Sequence, residues 1–212
     1  MPRRVQRSSL RQACRFAAVL ALAASAFAAT AASPAGAAGN EEVRAVQDLL
    51  ARGQAQAALE RLLAREGSGN AAAGAAGTAS AANLANGSAS SIDAELRFLH
   101  GVALMDLQRN AEALAWFERM SQDHPELPDP FNNIALLHVR AGRLEPARQA
   151  LETALRNDPS YRVARANLGL VHLMLAVQAW EQVVAGGPVE PQLLRRLEGA
   201  RALLAGAAAA SR

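Results

Sequence analysis

A spacing of 34 residues constrains this 212-residue chain more than any other feature. Gly101, Ala135 and Gly169 stand 34 apart, as do Ala113 and Ala147, Phe117 and Leu151, and Pro125 and Pro159. A fixed interval of that length marks a helix–turn–helix unit that cannot bury its apolar face alone and buries it against its neighbours. The residue types suit the register. Small side chains at 101, 135, 169, 113 and 147 let helix axes approach toward the near end of the ~8–10 Å range. Phe117 and Leu151 are large, and each contributes roughly 1.5–3 kcal/mol on full burial. Pro125 and Pro159 end the second helix of each unit, because proline disfavours helical geometry in the residue before it. Asp129 and Pro130 are expected to restart the chain as N-cap and first helical residue. Gly142 supplies the left-handed turn inside the hairpin.

Composition agrees with an all-helical reading. The chain is 51% apolar, but Ala and Leu dominate and aromatics are only 4%, so helix formers are abundant and strand formers scarce. The net charge of +3 misleads. Arg3, Arg4, Arg7, Arg11 and Arg15 precede an apolar run, "FAAVLALAASAFAA" (Phe16 to Ala29), followed by small residues. A basic start, a short apolar stretch and an Ala-x-Ala exit predict a secretory signal peptide over residues 1–31, with cleavage near Ala31 or at Ala37. An uncleaved inner-membrane anchor is the alternative. Removing those five Arg leaves 17 against 19 Asp and Glu, a net of −2. A nucleic-acid partner is therefore not expected, since the basic excess leaves with the leader. The one Cys, Cys14, leaves too, so stability must come from packing without disulfides.

Residues 32–40 read as a disordered start, with Asn40 as N-cap of a helix carrying Val43, Val46, Leu49 and Leu50 up to Gly53. Residues 41–66 form a degenerate hairpin whose second helix carries Leu59, Leu62 and Leu63. The Gly/Ala/Ser/Asn stretch 67–91 cannot bury enough surface to offset its ordering entropy and is expected to be a flexible linker. The regular repeat occupies 92–205. After the third small residue no breaker appears in "HLMLAVQAWEQVV" before Gly186-Gly187-Pro188, which predicts one long helix from about Ser160 to Ala185. A last helix from Pro191, with Leu193, Leu194, Leu197 and Leu204, caps the array. Residues 206–212 are expected to be a disordered tail.

The stretch Ala94 to Tyr161 resembles two consecutive tetratricopeptide repeats, in "HGVAL…AEALAWFERMSQDHP" and "NIALLH…GRLEPARQALETALRNDP", and "NLGLVH" (Asn167 to His172) opens another. Gly53, Ala58 and Leu62 match the same pattern more loosely. The resemblance implies an all-α α-solenoid; the long penultimate helix expected from the missing breaker departs from the repeat pattern, and the C-terminal capping helix closes the array. It is similar to bacterial exported proteins of this type, which implies a periplasmic scaffold whose concave groove binds another protein or an extended peptide.

No constellation for catalysis stands out: there is no phosphate loop, no His-x-x-x-His pair and no nucleophile with its base. No cofactor and no metal site are expected. His138 and His172 occupy equivalent places one repeat apart, too far for a shared ion at about 2 Å from each ligand. Trp116 and Trp180 read as core or groove-edge groups. Asn133 and Asn167 are the most informative polar pair, each just before the apolar residue that precedes a small crossing residue. In tetratricopeptide proteins that place faces the groove, where, the resemblance implies, an amide holds a peptide backbone by donating and accepting. Simple solvation explains them equally well. Asn132, Arg140, Arg162 and Arg165 lie nearby, the arginines suited to a carboxylate. The function expected is peptide or protein binding without catalysis or insertion into a membrane. A holdase or assembly factor for envelope proteins is the alternative.

Overall fold

The computed structural model describes the backbone of residues 34–75 and 87–210, and the side chains of 39–65 and 91–207 within them. The expected signal peptide lies outside the described residues. Those described form eight helices and no strand. In chain order they are α1 (Pro34–Ala51), α2 (Ala55–Ala75), α3 (Gly87–Asp106), α4 (Asn110–Asp123), α5 (Pro128–Arg140), α6 (Leu144–Asn157), α7 (Arg162–Ala185) and α8 (Pro191–Ala210). Two compact units result, one ending at Met120 and the other beginning at Ser121. That boundary falls inside the stretch 92–205 expected to fold as one body.

Three hairpins share one turn. Gly53, Gln108 and Gly142 all have left-handed backbone, with φ of 71°, 58° and 74°. Each turn closes the preceding helix with the same pair of bonds. Gly142 N donates to Val139 O and Arg143 N to His138 O, both at 2.9 Å. Gln108 and Arg109 repeat this on Met105 and Leu104, and Gly53 and Gln54 on Leu50 and Leu49. Capping the last carbonyls this way needs a residue that tolerates positive φ, hence glycine at two of the three. Five residues past each turn stands an alanine, Ala58, Ala113 or Ala147, fully buried; four further on stands Leu62, Phe117 or Leu151, also buried. The first hairpin thus follows the register of the others.

In the first unit α1, α2 and α3 pack together around Val43, Val46, Ala58, Leu62, Ile92, Leu96 and Leu99. The opening hairpin is therefore docked on α3, because Ile92, Leu96 and Leu99 recur at helical spacing and offer it an apolar stripe. A Cβ on Gly39 would come within 2.9 Å of Ile92, so α1 approaches α3 closely. Two expectations about this segment need correction. Helix α1 begins at Pro34, which places Asn40 inside the helix instead of at its cap; the Ala-rich run after a first-turn proline extends the helix backwards. The interval expected as linker narrows as well. Helix α2 runs on to Ala75 and α3 starts at Gly87, leaving only 76–86, which lie outside the described residues.

The rest of the first unit rests on Phe117 of α4. A Cβ on Gly101 would fall within 2.8 Å of three atoms of its ring, so only glycine admits the ring at this crossing. Phe98 packs on the same ring at 5.7 Å between centroids.

In the second unit α5 packs on α6, α6 on α7 and α7 on α8. Helix α5 starts at Pro128 with Leu127 as the capping residue, not at Asp129, because Pro128 already presets helical φ. The Asp129 carboxylate instead accepts the Tyr161 hydroxyl at 2.9 Å. Asn157 at the end of α6 donates to Pro125 O at 2.7 Å. Helix α7 is single and long, as its unbroken sequence predicts. Helix α8 docks through Leu197, Ala200 and Leu204, and Arg201 bonds Glu181. Leu194 and Leu203 stay exposed, and α8 continues to Ala210 through the expected tail.

Candidate functional site

The residues marked for peptide binding lie on α5 and α7 of the second unit, and the structure does not present the amides to solvent. Asn132, Asn133 and Asn167 are each 6% exposed. Asn167 Nδ2 donates to Asn132 Oδ1 at 2.9 Å. Asn133 Nδ2 turns back on its own helix and donates to Asp129 O at 3.1 Å. A buried amide without a partner costs about 1–3 kcal/mol, so these bonds account for the polar residues among apolar neighbours. The expectation of a groove-lining amide ladder is corrected: these three groups belong to the interior.

The two arginines differ. Arg140 is half-buried near the end of α5. Arg165 is exposed in the first turns of α7, where its guanidinium bonds Pro159 O. Arg162 is exposed one turn earlier. Among the described residues neither Arg162 nor Arg165 takes part in an ion pair.

His100, Trp116 and His138 have local roles. His100 is buried and stacks on Trp116, with centroids 3.8 Å apart and planes 15° from parallel. Trp116 Nε1 donates to Arg97 O at 2.7 Å, and the Arg119 guanidinium sits 5.2 Å from its ring. This places Trp116 at the edge of the core. His138 Nδ1 accepts from Arg143 Nε at 3.1 Å, whereas His172 is exposed. Among the described residues no cluster of three His, Cys, Asp or Glu is placed to hold a metal. Of the shifted carboxylates, Asp158 lies just before α7, held below its ordinary value by hydrogen bonds from Ser160, and Glu112 is held down by Arg109. The Arg61 guanidinium holds Glu42 below its ordinary value, and burial pushes Glu95 up against the opposing hydrogen bond from Gln47.

What sequence reasoning missed is the outward side of α7. Its buried residues, Ala164, Asn167, Val171, Met174 and Val177, form one stripe. The opposite side carries exposed Arg162, Arg165 and Gly169 and half-buried Leu173, Ala176 and Trp180, so its apolar residues are only partly covered. By length and composition alone α7 is long and apolar enough to cross a membrane. Gly169, expected at a tight crossing, is exposed, and a Cβ there would meet nothing within 4 Å. The signal was present in the sequence. Sixteen residues separate Gly101 from Phe117 and Ala135 from Leu151, but sixteen past Gly169 lies Ala185, where α7 has not yet turned back.

No family model matches the chain. The fold is similar to the crystal structure of a Bacteroides ovatus protein provisionally described as protein binding, with a TM-score of 0.40 and 15% identity, over 82% of this chain and 85% of that one. A likeness that loose fixes neither the course of the helices nor a partner.

Proposed function

We propose that this protein is an exported interaction scaffold without catalytic activity, built from tetratricopeptide-like hairpins, that binds a peptide or partner protein in the periplasm of a Gram-negative-type bacterium. The observation that carries this reading is the side of α7 opposite its buried stripe, where Gly169 and Val183 are exposed and Leu173, Ala176 and Trp180 are only half-buried. Apolar side chains that a fold leaves partly uncovered on one side of a helix offer a place for another molecule to bind. Export is supported by the five early arginines, the apolar run and the small residues after it. With Asn132, Asn133 and Asn167 engaged inside, the binding surface proposed shifts to α7, with Arg162 and Arg165 at one end.

A holdase for envelope proteins is the second reading. Exposed Leu63, Val183, Leu194 and Leu203 favour it, because scattered apolar contacts suit many unfolded clients better than one ligand.

In-cell photo-crosslinking separates the two. A photoreactive residue at Ala176, on the outward side of α7, is expected to give one discrete adduct if the protein is a scaffold and a ladder of many clients if it is a holdase. The same cells test export: the periplasmic fraction should yield a chain shortened by about the length of the leader. A full-length chain confined to the cytoplasm would remove the export reading, and full-length chain in the inner membrane would support the anchored alternative.

A further inference from the structure

We propose that the outward side of α7 seats an amphipathic helix from an acidic partner protein, antiparallel to α7, with a bulky apolar residue on Gly169 and its C-terminal end against Arg162 and Arg165. This rests on the protein-binding reading above and gives it a surface and a partner chemistry.

The chain itself shows what fills such a place. In the α3–α4 hairpin Phe117 lies on Gly101, and in α5–α6 the fully buried Leu151 stands at the same interval from buried Ala135. Gly169 is the third residue of that series, but α7 runs on to Ala185 and α8, which docks on α7 through Leu197, Ala200 and Leu204, does not cover it. Its surroundings remain open, with nothing within 4 Å of an added Cβ. At 100° per residue, exposed Arg162, Arg165 and Gly169 and half-buried Leu173, Ala176 and Trp180 share a stripe of roughly 80° opposite the buried one. That is the width of contact one helix makes with another.

Charge selects the occupant. From Arg162 to Trp180 helix α7 contains no acid, and its two arginines at the start are exposed. A helix running antiparallel places its C-terminal end there, where the backbone carries about half a negative charge and acidic side chains add to the attraction. A second copy of α7 is a poorer match. Its one carboxylate, Glu181, already bonds Arg201, and it brings arginines of its own.

A synthetic peptide of the chain's α4 sequence, NAEALAWFERMSQD, is a suitable probe: it carries the phenylalanine that fits over Gly101 and an aspartate six residues beyond it. Fluorescence anisotropy with the full-length protein is expected to show saturable binding. Gly169→Leu should weaken it by about tenfold or more, equivalent to losing one good contact, without lowering the melting midpoint. Arg162→Glu with Arg165→Glu should weaken it and reduce its salt dependence, and a peptide with its final Asp changed to Arg should regain affinity for that double variant. Several results would overturn the proposal. They are no binding up to the solubility limit of the peptide, equal binding by Gly169→Leu, self-association in sedimentation that Gly169→Leu abolishes, or flotation with lipid vesicles that Gly169→Leu abolishes. Photo-crosslinking at two sites separates this failure from that of the broader reading. A partner captured through Leu63 but none through Ala176 rejects the α7 surface alone, whereas no protein captured at either position rejects both.

Discussion

Asn167 on α7 donates its side-chain amide to the carbonyl oxygen of Asn132 on α5 at 2.9 Å, and the bond is buried. The two residues are 35 apart in the chain, so one amide pair ties α7 to α5 from within the second unit. Exposed, the same residues would offer that donor and acceptor to a ligand. Here they are consumed by the fold, which turns a proposed binding feature into a stability feature.

Asn167→Ala is therefore expected to destabilise the protein by about 1–3 kcal/mol, since it strands a buried Asn132 carbonyl. Removing both amides should cost less than the sum of the single changes, because the pair acts as a unit. Urea unfolding of the two single variants and the double variant measures the coupling. Strict additivity would show that the bond is not made in solution.

Gly101 and Gly169 occupy equivalent repeat positions and should respond oppositely to the same change. Gly101→Ala drives a Cβ into the Phe117 ring and is expected to cost about 1–3 kcal/mol as an overpacked site. Gly169→Ala meets nothing and should stabilise by about 1 kcal/mol through helix propensity. Thermal melts of the two variants side by side are sufficient. Equal signs would contradict the uncovered state of α7.

Gln108 holds the left-handed turn position that glycine takes at 53 and 142. A side chain in that conformation costs about 1 kcal/mol, so Gln108→Gly is expected to stabilise by that amount. The reciprocal Gly142→Gln should destabilise by a similar amount. Hydrogen exchange at Arg109 and Arg143, whose amides close the two turns, reports each change locally.

Two carboxylates in the first unit predict opposite pH responses. Arg61 donates Nε and Nη2 to Glu42, both at 2.7 Å, and holds its pKa below the ordinary 4.5. A depressed carboxyl contributes stability above its unfolded pKa and loses it as the pH falls through the folded value. Arg61→Gln should therefore make acid destabilisation shallower. Glu95 is raised by burial, so its ionised form opposes folding at neutral pH, and that opposition fades on acidification. Glu95→Gln should raise the melting midpoint at pH 7 and remove the gain on mild acidification. Melts across the acid range distinguish the two slopes.

Much of the local structure was legible in the residues. The alternation of small Ala113 and Ala147 with large Phe117 and Leu151 marks the hairpin crossings, and Gly142 marks its turn. The unbroken run after Asn167 marks the long α7. These features depend on steric and dihedral preferences within one hairpin, which the chain carries locally. The helix starts were less legible. Pro34 and Pro128 each initiate a helix ahead of the better capping residue, Asn40 and Asp129, because proline presets φ before a side-chain cap is needed.

The sequence by itself determined that the chain forms helical hairpins at a 34-residue spacing, and that Gly101, Ala113 and Phe117 and Ala135, Ala147 and Leu151 lie at the crossings of two of them. Only the tertiary structure decided that the opening hairpin docks on α3, that Asn132, Asn133 and Asn167 face inward, and that Gly169 faces out. An amide or a glycine on a helix is compatible with either side. Which one it occupies depends on whether another helix returns to cover it, and that is a property of distant segments of the chain.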